Sequence, residues 1–142
     1  MALNKAPVFG GAPQFATAVV TAANTNLDGT TGAYTQLFQA SASGCIITAL
    51  QAFQRGTTAA AISCRIFISY DAGVTRGFYG DQTIPIFTVA TGTSVTPVTF
   101  VNKLNPDSAI YLPASAIVYV TTAAALAAGI SFSAEYRDLA AV

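Results

Sequence analysis

Asp71 and Asp81 flank a glycine-bearing stretch, and a single hairpin between them could bring both carboxylates to one place. Two carboxylates roughly 5–10 Å apart can cleave a glycosidic bond, one as acid and one as base or nucleophile. Each of these Asp residues also stands close to a glycine, where Asp commonly serves a turn, and the turn reading is adopted. Other catalytic chemistry has less support. The chain has no His, so Ser-His-Asp and Cys-His arrangements and the usual imidazole zinc sites are impossible. Neither a Gly-x-x-x-x-Gly-Lys-Ser/Thr nor a Gly-x-Gly-x-x-Gly stretch occurs to cradle phosphate. Asn24, Asn26 and Asp28 share one loop, yet a calcium loop of the EF type needs several carboxylates at fixed spacing and a terminal Glu. No catalytic, cofactor-binding or metal-binding residue is assigned, no cofactor is expected, and the chain reads as a non-enzyme.

Cys45 and Cys64 each sit inside an apolar strand pattern and read as buried free thiols, with a disulfide between neighbouring strands as the alternative. With no Trp in the chain, Tyr34, Tyr79, Tyr111 and Tyr119 are the side chains available to stack a sugar; packing in or beside strands is their plainer role.

The elements that would position these groups are strands. Across Ala61–Tyr70, Ile62, Cys64, Ile66, Ile68 and Tyr70 occupy one parity and Ser63, Arg65 and Ser69 the other, the period of a strand with one core face. Phe67 breaks the polar parity and predicts a half-covered second face. Further strands are read at Phe15–Thr21, Ala33–Gln39, Cys45–Phe53, Val74–Ile84 with Ile86–Val89 as its continuation on another sheet, Val95–Val101, Ile110–Leu112, Ile117–Thr122 and Gly129–Arg137. Pro85 and Pro97 mark sheet edges, and Gly77 and Gly80 an irregularity. Ala23–Gly32, dense in Asn, Asp, Gly and Thr, is a long loop. About eight short strands with connections of unequal length predict an all-β, antiparallel jelly-roll β-sandwich over residues 15–142. Residues 1–14, with two prolines and a Gly-Gly pair, predict an extended N-terminal arm whose Val8 and Phe9 dock on a partner.

Composition bears on partners. Of 142 residues, 53% are hydrophobic and only 8% charged, against about 25% charged in ordinary domains, so much of the surface is expected to face partners or to be Thr, Ser, Gln and Ala. Six basic residues are scattered singly and net charge is zero, which argues against nucleic acid. No apolar run reaches the roughly 18 residues of a spanning helix, and the aromatic girdles and charged lumen of a membrane barrel are missing; no membrane partner is expected.

At Ala23–Thr30, Ser43–Ala52, Arg65–Ile68 and the opening Met1–Pro7, the chain resembles the cement, or decoration, proteins of short-tailed phages. The resemblance implies a jelly roll on the outer surface of a tailed-phage capsid, bridging major capsid protein subunits, stabilising the shell and pairing with further copies of itself. It implies no catalytic residue. It places the protein on the virion, assembled in the host bacterial cytoplasm, which suits two unpaired thiols. The rival expectation is a virion tail or host-attachment sandwich that binds a cell-surface glycan through Tyr and Asp side chains on one set of loops.

Overall fold

A computed structural model describes residues 8–141. Among the described residues the alternating segments form nine strands: β1 Val8–Val20, β2 Thr35–Gln39, β3 Cys45–Gln54, β4 Ile62–Ser69, β5 Gly77–Ile84, β6 Val98–Val101, β7 Ile110–Leu112, β8 Ile117–Thr122 and β9 Ile130–Ala141. They form two antiparallel sheets. One runs β1-β9-β3-β6, with β7 also pairing β3; the other runs β2-β8-β4-β5. β6 pairs Leu50–Ala52 and β7 pairs Cys45–Ile47, so the two short strands share one side of β3.

The inner faces of the sheets make one core. Ile47, Leu50, Phe132 and Ile130 from the first sheet meet Ile66, Cys64, Val118 and Val120 from the second, all essentially inaccessible to water. Phe38 of β2 stacks on Tyr136 of β9 at 4.2 Å between ring centres, joining the sheets through an aromatic pair. Cys45 and Cys64 are buried free thiols on strands of different sheets. Burial pushes Cys64 up to about 12; burial, with the nearby Asp138 charge, pushes Cys45 up to about 11.

Several expectations need correction. The first strand begins at Val8, not Phe15, so residues 8–14 are paired backbone rather than free arm; residues 1–7 of the expected arm lie outside the described residues. Pro13 and the Gly10-Gly11 pair are accommodated because β1 is an edge strand and the register shifts between Gly10 and Pro13. That pairing also carries β9 beyond Arg137 to Ala141. Ile86–Val89 is not a strand: directly after Pro85, Phe87 makes a single bridge to Thr58. Tyr70 lies beyond the end of β4 and is 60% exposed instead of facing the core. The edge positions signalled by Pro85 and Pro97 are where β5 ends and β6 begins.

Candidate docking face

The outer faces of the two sheets differ. On the β2-β8-β4-β5 sheet, Phe67 points away from the core and is still fully buried, with Ile117 and Tyr119 beside it. Its cover comes from loops. Tyr34, at the end of the long Ala23–Gly32 loop, meets Phe67 edge-on at 5.0 Å, and Phe78 does so from β5 at 5.6 Å. The Arg76 guanidinium lies over the rings of Tyr34 and Tyr119 at 5.1 and 4.7 Å and donates from Nη1 to the Gly29 carbonyl. Arg65 donates from Nη1 to the Asn24 carbonyl. Within the loop, Asn24 Nδ2 donates to the Ala33 carbonyl, while Asp28 Oδ1 accepts from the amides of Thr30 and Thr31. The Thr31 hydroxyl, then those amides, hold the Asp28 carboxyl well below the usual carboxylate range. Gly29 has φ +76°, and a Cβ there would collide with the Arg76 carbonyl oxygen. The loop is thus fastened across this face.

The other outer face is more open: Phe15, Thr17, Val19 and Thr99 are exposed there, while Ser131 and Ser133 of β9 are buried. Strand registers align three rows across it: Val19, Ser131 and Phe53; Thr17, Ser133, Gln51 and Thr99; Phe15, Glu135 and Ala49. Alternate positions in the same strands, among them Ala18, Phe132 and Ala52, face the core, which fixes the rows as outward. Phe15 is 69% exposed. The three rows contain one charged side chain, Glu135, which Lys103 pairs at 2.8 Å, the single ion pair among the described residues; the next row on this face, Pro13, Arg137 and Ile46, adds the exposed Arg137. A shallow concavity of about 190 Å³ lies between Phe15, Gln51, Thr99 and this pair. Tyr111 of β7, opposite Ile46, is a further exposed aromatic ring on the same sheet.

Each residue singled out in the sequence has a definite place. Val8 and Phe9 begin β1 and pair through their backbones with Ala141 and Ala140; the docking role expected of their side chains lies outside the described residues. Asp71 is a turn residue as expected: Oδ1 accepts from Ser69 Oγ and Thr75 N, and Oδ2 from Thr75 Oγ1. Those bonds, the Thr75 hydroxyl first, hold its carboxyl down to about 2. Asp81 is a strand residue, not a turn residue; it stands opposite Arg65 and accepts from Ser63 Oγ. At about 3.3 Å per strand residue, roughly 10 Å or more separates Asp81 from the turn holding Asp71, too far for a carboxylate pair across one bond. Of the four tyrosines, Tyr34 and Tyr119 support the loop, Tyr111 lies on the other sheet, and Tyr79 is half exposed on β5. Phe15 and Tyr70 were missed, since exposure in one case and position past a strand end in the other depend on what neighbouring chain covers. No helix among the described residues is long and apolar enough to cross a membrane, and no group of three or more His, Cys, Asp or Glu among them is placed to hold a metal ion. A scan of protein-family models and searches of curated proteins and of solved structures found no match.

Proposed function

We propose that this chain is a non-catalytic virion protein that binds the outer surface of a tailed-phage capsid, bridges major capsid protein subunits and stabilises the shell, alongside further copies of itself. The observation that carries the reading is the open face of rows Val19–Phe53, Thr17–Thr99 and Phe15–Ala49. An extended patch of Ser, Thr, Gln, Ala and apolar side chains with one internally neutralised charge can lie against a protein surface without stripping water from unpaired ions. Repeated over a lattice, even a weak contact of this kind favours the assembled shell, because only that state is bound.

The finer fold reading, a jelly roll, draws support from strand order. Taking β6 and β7 as two parts of one edge strand gives eight strands in two four-stranded layers, with first and last strands adjacent and most connections passing between layers. That is the order expected of two interleaved Greek keys. Such a fold presents two sheet faces, and in this chain one of them is occupied by its own loop.

The test is co-sedimentation with phage capsids assembled without the protein. The parent chain is expected to pellet in fixed stoichiometry. Thr17→Glu combined with Gln51→Glu places two unpaired charges in the middle row and is expected to weaken occupancy at least tenfold, while Ser63→Ala on the opposite sheet leaves it intact. Full occupancy by the double variant, or no occupancy by the parent, would overturn the docking-face reading.

A further inference from the structure

We propose a second binding site, for a neutral saccharide, in the concavity between the β4–β5 turn and the start of β5. It uses none of the docking-face residues and stands or falls separately from that reading.

The register of β5 changes from Gly80 opposite Ile66 to Phe78 opposite Phe67, leaving Tyr79 as the extra residue of a bulge without a cross-strand partner. In a regular strand, consecutive side chains point to opposite faces; a bulge re-aims one of them. The result is that Phe78 and Tyr79, adjacent in sequence, line one concavity of about 400 Å³ together with Tyr70 and Asp71. The three rings are 43%, 50% and 60% exposed for Phe78, Tyr79 and Tyr70, so apolar ring surface faces solvent on several sides of a small volume. That volume suits about one or two pyranose rings.

The polar groups there suit the same ligand. Asp71 is held by Ser69 and Thr75, with both acceptor directions of Oδ1 used and one direction of Oδ2 unused. It is an oriented acceptor for a hydroxyl. The Thr75 hydroxyl, its proton given to Asp71 Oδ2, adds an acceptor, and the two tyrosine hydroxyls add groups that both donate and accept. Asp71 is the one charged residue of the lining, and no cation joins it, which disfavours phosphate and acidic sugars. A pyranose matches this set, since its C–H faces pack on rings while its hydroxyl edge donates to a carboxylate.

The experiment uses the full chain, isotope-labelled, titrated by NMR with methyl α-glucopyranoside, methyl β-galactopyranoside, N-acetylglucosamine and rhamnose at up to about 50 mM, because a single sugar in an open site binds in the millimolar range. The expected result is saturable shifts of Tyr70, Asp71, Thr75 and Tyr79 amides with at least one sugar. Tyr79→Ala and Asp71→Asn should each weaken that binding about fivefold or more, with the remaining spectrum still dispersed. The site is overturned if no sugar of the panel moves these resonances, if binding survives the Tyr70→Ala, Tyr79→Ala double change, or if only the capsid and none of the sugars moves them.

Discussion

Arg76 has no carboxylate within ion-pair distance among the described residues; its charge is met instead by the faces of Tyr34 and Tyr119 and by the Gly29 carbonyl. Arg76→Ala is expected to cost about 1–2 kcal/mol, from the lost cation–π contact and hydrogen bond. Urea denaturation checks it, and Lys at this position should restore less than half, lacking the planar group that spans two rings. Asp28 and Asp71 set the acid limit. Both have folded pKa values below the ordinary 3.8, so their contribution is present above about pH 4 and is lost as pH falls towards the folded values, about 2 for Asp71. Urea midpoints measured between pH 6 and 2 should stay level and then drop below pH 4, with a smaller drop in Asp71→Asn. The thiols set an alkaline limit of opposite origin. Their folded pKa values are raised, so stability is full below the ordinary thiol value of 9.0 and declines as pH rises towards 12, where only the unfolded chain ionises readily. Cys64→Ala should flatten that decline, and neither thiol should react with a thiol reagent while the chain is folded.

Among the elements, β1 departs furthest from what local composition suggests. Leu139, Ala140 and Ala141 of β9 are beyond the stretch paired with β3, and Val8–Gly10 supply strand partners on the β1 side. Comparing a chain without residues 1–7 with one without residues 1–13 isolates this ladder. The longer deletion should lower Tm by roughly 3–5 °C more, the shift that about 1 kcal/mol produces in a domain near this size. A fall of that size would mean that residues 8–13 stabilise the sandwich, so a loss of capsid occupancy on deleting them could not be assigned to docking alone. β4 illustrates the opposite case. Its alternation was plain in Ile62, Cys64, Ile66 and Ile68, and all four face the core.

Taken whole, the molecule joins its first described strand to its last, and most connections pass between the two sheets. Such non-local pairing places folding in the millisecond-to-second range, and stopped-flow refolding should show a phase on that scale. Most of the strands and their inward parities, the free thiols and the long loop were legible along the chain, because period-two alternation and turn chemistry are local properties, whereas the start of β1 and the absence of a strand at Ile86–Val89 were not. The low charge was equally legible, since composition needs no geometry. Which outer face stays open was not. Phe67 and Phe15 are both Phe at outward strand positions, yet one is buried and the other 69% exposed. The path of the Ala23–Gly32 loop, fastened by Arg76, Tyr34 and Gly29, together with Phe78 of β5, distinguishes them. The meeting of Tyr70, Asp71 and Tyr79 likewise depends on a bulge, a relation between two strands that neither strand's residues specify alone. Local pattern determined what each strand could bury; tertiary structure decided what was left to bind.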